Sequence, residues 1–279
     1  MSVKSGPYRR LLSRVRQLNG ALVQEDHDPV LGRSDQSDIA LLHTLLRQLQ
    51  DSHPAAGRRY WSARLWQLTT WQPVYLAVAA SDAGLGVSLD GLYQSVRPGV
   101  VTGFTLSPRA VIDWRNDTSP VSLSDHRCLQ YNAEQLRVFV DRYFAMVNDV
   151  IALCRANSYG QVADTLHFAL LAAAGAGRWD QLAGAGQLWS KASGLVDRRG
   201  APMSGFSDQH SQLTVARRSC CRHHLIEPGP HAYCEDCPLH RKRLAAASRS
   251  SGAIGNGFST TQNKKVNYGN GSPTPLARH

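Results

Sequence analysis

The sequence predicts an α+β fold, in which a mainly helical single domain carries a small antiparallel sheet and ends in a cysteine-rich segment. Three observations lead to this prediction. Several long stretches repeat apolar residues at intervals of three and four, which is the period of an amphipathic helix. Residues 86–106 instead alternate apolar and polar side chains and are rich in valine and leucine, which favours strands. Four of the six cysteines lie between residues 220 and 237.

The first 33 residues are interpreted as a basic helix followed by a connection. Within residues 5–19 the apolar positions keep a helical period, and they are Tyr8, Leu11, Leu12, Val15 and Leu18. Residues 1–20 also contain five basic residues and no acidic residue. We expect this helix to pack on the domain through its apolar side. Its arginines, from Arg9 to Arg16, would then be free for a partner protein or for membrane headgroups.

The helical body, with its small sheet at residues 86–106, is assigned to residues 34–216. After several N-cap candidates between Ser34 and Asp38, the first helix of the body is expected to end near His53, just before a proline. Residues 58–80 predict a second helix, which Pro73 kinks or splits in two. The tryptophans of this helix are interpreted as core residues: Trp61, Trp66 and Trp71.

The second half of the body is predicted to hold two or three strands, as a hairpin or meander, and three more helices. Arg97-Pro98-Gly99 is interpreted as the turn between two strands. After a loop around residues 116–124, a long helix is expected from about residue 133 to 156, with Cys154 in its apolar period. A helix over residues 160–173 leads into a glycine- and alanine-rich helical stretch with tight packing or close turns. Residues 244–279 are rich in Ser, Gly and Asn and are expected to be a disordered tail.

Length, hydropathy and charge narrow the classes of function. A chain of 279 residues buries enough surface to fold without a metal or a disulfide. No apolar run reaches the roughly 20 residues that span a bilayer, and no hydrophobic signal segment follows the basic N-terminus, so we expect a cytoplasmic protein. The net charge of +10 is concentrated at the two ends of the chain. Basic ends suit nucleic acid, an acidic redox partner, a membrane surface or an anionic ligand.

The cysteines of residues 217–243 form the candidate metal site. Cys220 and Cys221 are adjacent, twelve residues follow, and Cys234 and Cys237 then form a Cys-x-x-Cys turn. In a protein without an export signal, such a cluster indicates metal or redox chemistry rather than disulfides. Adjacent residues of an extended chain point to opposite sides, so this spacing suits a [2Fe–2S] cluster better than a single zinc ion. The other two cysteines are interpreted as buried small apolar residues: Cys128 and Cys154.

The cysteine motif resembles the C-terminal signature of the FhuF-type ferric-siderophore reductases. That family has a vicinal cysteine pair, about ten residues and a Cys-x-x-Cys, with basic residues before the pair and Pro-Leu-like residues after the motif. The matching positions are Arg217, Arg218, Cys220, Cys221, Cys234, Cys237, Pro238 and Leu239. The intervening loop is longer here by two residues, a difference that a loop absorbs without moving its ends. The strict motif covers about 20 residues of the chain.

The resemblance implies an oxidoreductase that reduces a ferric siderophore, of the hydroxamate or a related type, by one electron. Cys220, Cys221, Cys234 and Cys237 would be the ligands of its [2Fe–2S] cluster. Siderophore oxygens hold Fe(III) tightly and Fe(II) poorly, so one electron releases the iron, and we predict no catalytic acid or base.

The cations beside the cysteines and the expected partners of the protein agree with the same resemblance. Nearby cations would favour the reduced, more negative cluster and attract an anionic ligand: Arg217, Arg218, Arg222 and His223 or His224. The chain has no phosphate-binding loop, so an external electron donor, a ferredoxin-like or reductase protein, is expected. This interpretation needs no nucleic acid, and the basic N-terminal helix admits peripheral association with a membrane.

Other interpretations stay open. The four thiolates could hold a structural zinc ion in a nucleic-acid-binding protein, which the basic ends would suit. The chain could also be a siderophore-binding or synthetase-like scaffold that carries the cluster only for structure. His223 and His224 could replace a cysteine ligand, as in Rieske-type centres. With four cysteines at hand, however, these histidines are interpreted as exposed loop residues.

Overall fold

Six α-helices account for most of the residues that the computed structural model describes, which are 6–24, 29–114, 126–175, 179–209, 212–226, 229, 233–234 and 236–240. The helices are α1 (Gly6–Leu18), α2 (Gln36–Ser52), α3 (Gly57–Asp82), α4 (His126–Val150), α5 (Arg155–Ala174) and α6 (Trp179–Ala192). The loop predicted at residues 116–124 and the tail predicted at residues 244–279 lie outside the described residues.

The strands are short and pair with one another in antiparallel fashion. They are β1 (Val30–Leu31), β2 (Leu85–Val87), β3 (Leu92–Arg97), β4 (Val100–Leu106), β5 (Val111–Asp113), β6 (Phe206–Gln209) and β7 (Gln212–Val215). The order β1-β3-β4 forms one sheet, while β2 pairs with β5 and β6 pairs with β7. The predicted turn between β3 and β4 is confirmed, and Gly99 adopts the positive φ of 72° that the turn requires.

Helix α3 lies at the centre of the molecule and contacts α1, α2, α4, α5 and β2. It is buried on nearly every side, which is the pattern of a helix that is apolar around its whole circumference. All six helices contribute buried residues to one continuous core. The core also includes side chains of β2, β3 and β4. The described chain is therefore a single α+β domain, as predicted. None of its described helices is long and apolar enough to cross a membrane.

Pro73 does not split α3 in two, which was one of the two predicted outcomes. The helix runs without interruption from Gly57 to Asp82, with Pro73 inside it. A proline cannot donate a hydrogen bond to the carbonyl four residues earlier, which here belongs to Thr69. The side-chain amide of Gln94 on β3 donates to that carbonyl at 3.1 Å. The carbonyl that Pro73 leaves open is thus satisfied by a neighbouring strand.

The boundary between α4 and α5 also differs from the prediction. Helix α4 ends at Val150, and the side chain of Asn148 accepts a hydrogen bond from the backbone N–H of Leu153 at 2.9 Å. Cys154 therefore leaves the helical period and becomes the N-cap residue of α5. It is exposed, so its interpretation as a buried apolar residue is wrong, whereas Cys128 is buried as expected. Helix α4 also begins earlier than predicted, at His126.

The glycine- and alanine-rich stretch forms α6 and packs closely on α5, as predicted. A Cβ atom at Gly186 would come within 3.0 Å of both His167 Nε2 on α5 and the Phe206 ring on β6. His167 is buried, and its Nδ1 lies 2.8 Å from the carbonyl oxygen of Ala163, which assigns the ring proton to Nδ1. Nε2 therefore carries no proton, and it lies so close to Gly186 that a larger residue there would collide with it. Burial lowers the pKa of His167 below its usual 6.5, although the carbonyl of Ala163 acts in the opposite direction.

His167 makes the stability of the fold sensitive to acid. Below pH 6.5 the unfolded chain takes up a proton at this histidine while the folded protein does not, so the free energy of unfolding falls as the pH decreases. We expect a contribution of up to about 1.4 kcal/mol per pH unit below that point. Urea denaturation at pH 7.5, 6.5 and 5.5 measures it. A His167→Gln variant should show a shallower decline over this range, and a decline as steep as in the wild type would refute the assignment.

Helix α1 packs through its predicted apolar face, but two of its arginines are not free. Tyr8, Leu11 and Val15 are buried. Arg10 forms an ion pair with Asp113 at 2.8 Å, and Arg14 pairs with the buried carboxylate of Asp82. Arg14 also donates to the carbonyl oxygen of Ala173 at the end of α5, at 2.8 Å.

The basic surface of α1 is consequently narrower than predicted. Arg9 and Arg16 are exposed and line a shallow groove together with Leu12, Ser13 and Gln17. The expectation that all arginines of the helix face a partner is corrected to these two.

Charge reversal should therefore act differently at two arginines of α1. We expect Arg14→Glu to lower the free energy of unfolding by about 3 kcal/mol, because Asp82 would stay buried beside a second carboxylate. Arg9→Glu should change it by less than about 0.5 kcal/mol, as is usual for an exposed site. Urea denaturation of the two variants beside the wild type measures both. Equal stability of the two variants would contradict the anchoring role of Arg14.

Candidate metal centre

The segment that carries the vicinal cysteines lies against one face of α5. Four residues of this helix, spaced at three, four and seven, meet residues 217–220: Asn157, Gly160, Gln161 and Asp164. Such spacing places side chains on a single helical face. The face is polar or small, while the rest of α5 is largely apolar and packs on α3 and α6. Helix α5 is therefore the platform on which the first half of the cysteine motif is built.

Asp164 is the main anchor of this segment. Its carboxylate is buried and accepts hydrogen bonds from the backbone N–H groups of Arg218, at 3.3 Å, and Ser219, at 3.2 Å. The hydroxyl of Ser219 donates to the same carboxylate. The guanidinium of Arg217 completes the set, with Nε 3.7 Å from Oδ2. One buried carboxylate thus holds three consecutive residues immediately before Cys220.

The backbone of Cys220 is held by two amide side chains. Gln161 donates to its carbonyl oxygen at 3.2 Å, and Asn157 accepts from its N–H at 3.4 Å. Between them, the backbone of α5 comes so close to the segment that a Cβ at Gly160 would lie 3.1 Å from the Ser219 Cβ. A larger side chain at position 160 would collide with the segment. The vicinal pair is therefore fixed in position by the helix below it.

The four cysteines of the motif interact with one another. Cys220 and Cys237 are buried and interact electrostatically, whereas Cys221 and Cys234 are half-buried and share a hydrogen bond. The backbone N–H of Cys237 also donates to the carbonyl of Cys234 at 3.0 Å, which closes the Cys-x-x-Cys turn. Both members of the vicinal pair therefore interact with the turn.

The surroundings distribute charge unevenly over these thiols. Hydrogen bonding from Cys234, the backbone N–H of His223 and the charge of Arg217 lower the pKa of Cys221 to about 5, against the effect of burial. The same hydrogen bond and burial raise the pKa of Cys234. Burial raises the pKa of Cys220, partly offset by the N–H of Arg222, which donates to its Sγ at 3.4 Å.

Arg217 places a cation close to the sulfur atoms. One of its terminal nitrogens lies 3.5 Å from Cys234 Sγ, and only 15% of its side chain is exposed. Burial by itself lowers the pKa of Arg217, but the charges of Cys234, Cys221 and Asp164 outweigh that effect and raise it. This guanidinium is therefore a permanent positive charge at the edge of the thiol cluster.

The two histidines of the motif differ in position. His223 is exposed, as predicted, but His224 is half-buried, and its Nδ1 lies 3.9 Å from Cys220 Sγ. Its ring stacks on Tyr233 at 4.9 Å, and Tyr233 in turn stacks on His240 at 5.5 Å. The interpretation of His224 as an exposed loop residue is wrong, because its ring is half-buried between Tyr233 and the Cys220 side chain.

The four thiols of the motif are as many donors as a binuclear iron–sulfur cluster requires. Among the residues that the structure describes, no three His, Cys, Asp or Glu side chains are gathered so that they could hold one metal ion. A [2Fe–2S] cluster has another requirement, since each of its two irons takes two thiolates. Cys221 interacts with Cys234, and Cys220 interacts electrostatically with both Cys237 and Cys221. Backbone N–H groups and a guanidinium beside them suit anionic sulfur.

Several residues of the site were not predicted from the sequence. The polar face of α5 can be recognised in the sequence, because Asn157, Gln161 and Asp164 recur with a helical period inside an apolar helix. A buried tyrosine, Tyr60 at the start of α3, is also near the site, and the charge of Cys221 adds to the effect of burial in raising its pKa. Nothing in the sequence around Tyr60 indicates this proximity.

No family model matches the chain, and no solved structure matches it. The likeness to the siderophore reductases accordingly rests on the residues of the cysteine motif.

Proposed function

We propose that this protein is an oxidoreductase that reduces a ferric siderophore by one electron, with a [2Fe–2S] cluster bound by Cys220, Cys221, Cys234 and Cys237. The observation that carries the proposal is the proximity of these four thiols beside the partly buried Arg217. When bound, the cluster supplies a one-electron carrier whose potential depends on charge, hydrogen bonds and exposure.

The reaction balances with a single electron. An external donor, a ferredoxin-like or reductase protein, is oxidised by one electron, and the siderophore iron passes from Fe(III) to Fe(II). The hard oxygen ligands of the siderophore hold Fe(II) poorly, so the ion leaves. This chemistry requires no proton transfer from a side chain, and we assign no catalytic acid or base.

The residues of the chain position and shield the site. Asp164, Gln161 and Asn157 fix the vicinal pair on α5, and the burial of Cys220 and Cys237 limits contact with water. The exposed Arg218 and His223 lie in the same segment. Positive charge at this end of the molecule attracts an acidic electron-donor protein and raises its local concentration.

The basic surface of α1 serves a different purpose in this proposal. Arg14 of α1 meets α5 at Ala173, whereas the thiol segment lies over Gly160. At 1.5 Å per residue these points are about 20 Å apart along α5. The contact of α1 with α5 thus lies away from the thiol segment, and in this proposal Arg9 and Arg16 serve peripheral contact with anionic membrane headgroups.

Absorption spectra of the anaerobically purified protein, oxidised and then reduced with dithionite, test the proposal. We expect visible absorption that bleaches on reduction, together with two irons and two inorganic sulfides per chain. Ferrous iron released from a ferric hydroxamate, trapped by a ferrous chelator, should appear in a ratio of one per electron supplied. A colourless protein that holds one zinc ion when iron and sulfide are ample would favour the zinc alternative instead.

A further inference from the structure

We infer that Asp164 is a positioning residue which, by pairing with Arg217, sets how readily the bound cluster accepts an electron. The inference rests on the proposed function, since it concerns the cluster that Cys220, Cys221, Cys234 and Cys237 would hold. It adds Asp164 of α5, which lies more than 50 residues before the motif, to the residues that act on the cluster. The effect of Asp164 on the reduction potential is opposite to that of Arg217, which it binds.

The geometry makes Asp164 and Arg217 one unit. Arg217 stands between two partners, with a terminal nitrogen 3.5 Å from Cys234 Sγ and Nε 3.7 Å from the Asp164 carboxylate. The side chains are 15% and 4% exposed, so solvent screens neither charge well. Asp164 also binds the N–H groups of Arg218 and Ser219, which fixes the segment from which Arg217 extends. Moving Asp164 would therefore move the guanidinium relative to the sulfur atoms.

The two charges act in opposite directions on reduction. Reduction adds one negative charge to the cluster, so a nearby positive charge favours the reduced form and a nearby negative charge disfavours it. Arg217 therefore raises the potential. Asp164 lowers it directly and also offsets part of the arginine's charge. The potential of the wild type reflects the balance of the pair rather than the arginine alone.

The test is a spectroelectrochemical titration of the full-length protein and three variants with the cluster bound. Asp164→Asn should raise the potential, and Arg217→Gln should lower it, each by about tenfold in the reduction equilibrium, which is about 59 mV for a one-electron couple. Arg218→Gln is the matched control. This variant removes the same charge from the neighbouring residue, whose side chain is exposed. Its shift in potential should therefore be clearly smaller than that of Arg217→Gln.

A purely structural role predicts a different pattern. Asp164→Asn and Arg217→Gln would then both loosen the segment and shift the potential in the same direction, and that result would overturn the inference. An Arg218→Gln shift as large as that of Arg217→Gln would overturn it as well. If Asp164→Asn retains too little cluster to titrate, Arg217→Lys decides, since it keeps the charge. It should leave the potential near that of the wild type, and a shift equal to that of Arg217→Gln would refute the role of charge.

Failure of this inference and failure of the proposed function look different. A wild-type protein without a visible iron–sulfur spectrum contradicts the proposed function before any potential is measured. A normal spectrum with the wrong order of potentials contradicts only the role of Asp164 and Arg217.

Discussion

Replacing any one of Cys220, Cys221, Cys234 or Cys237 with alanine is expected to remove most of the cluster from the purified protein. Each thiolate would supply one of the four terminal bonds of a [2Fe–2S] cluster. Even the loss of an outer-shell partner typically costs 10- to 100-fold in metal affinity, so the loss of a ligand should cost at least about tenfold. Iron and sulfide content, with the visible spectrum, measures the loss. Release of Fe(II) from a ferric siderophore should fall in parallel.

The two cysteines outside the motif provide the controls. Cys128 is buried in α4, so Cys128→Ala should cost about 1 kcal/mol of packing free energy and leave the spectrum unchanged. Cys154 is exposed, so Cys154→Ala should change neither property. A variant that has lost its cluster but still reduces the siderophore at the wild-type rate would contradict the proposed mechanism. A serine in place of one ligand should retain part of the cluster with an altered potential.

The helices were predictable wherever a single face of each is apolar. In α1 and α2 the buried residues follow that face, and the predicted ends fall within a few residues of those observed. The ends of α4 and α5 were predicted less well, because polar residues there face other parts of the protein. Asn132 in α4 is an example: it is buried and bonds to Ser81, Leu85 and Val87, so it interrupts the apolar pattern without interrupting the helix.

The two hairpins also differ in how well they could be predicted from the sequence. The hairpin of β3 and β4 has six and seven residues and a clear turn, so its pattern could be recognised. The hairpin of β6 and β7 has four residues in each strand, too few for an alternating pattern to stand out. It lies directly before the cysteine segment, and β7 packs on α5. A strand that was not predicted thus delivers residues 217–220 to the helix that holds them.

In the candidate site, too, some residues could be predicted from the sequence and others could not. The thiols could be predicted because their spacing is unusual and local in sequence. The residues that hold them could not, because Asp164 and Ser219 are separated by 55 positions and only the fold brings them together. Arg14 was misjudged for the same reason, since its partner Asp82 is 68 positions away. Local patterns indicate which residues carry the chemistry, whereas the supporting contacts depend on the tertiary structure.

Gly160→Val is expected to displace the cysteine segment while the rest of the domain stays folded. A Cβ at position 160 already lies 3.1 Å from the Ser219 Cβ, and the two methyl groups of valine need more room. Helix α5 cannot retreat, because its other faces pack against α3 and α6. The segment must therefore move, at a cost of about 1–3 kcal/mol that is typical of overpacking. Cluster content should fall severalfold while the far-ultraviolet circular dichroism spectrum remains unchanged.

Gly184→Val in α6 is the matched control for this prediction. It makes the same substitution inside a helix, where a Cβ would meet no atom within 4 Å. Both variants exchange the poor helix propensity of glycine for that of valine, so any difference between them reports on the contact with Ser219 rather than on the helix itself. Cluster content of Gly184→Val should equal that of the wild type. If Gly160→Val also retains a full cluster at an unchanged potential, the segment does not need its close seat on α5, and the cysteines hold the cluster without help from the helix.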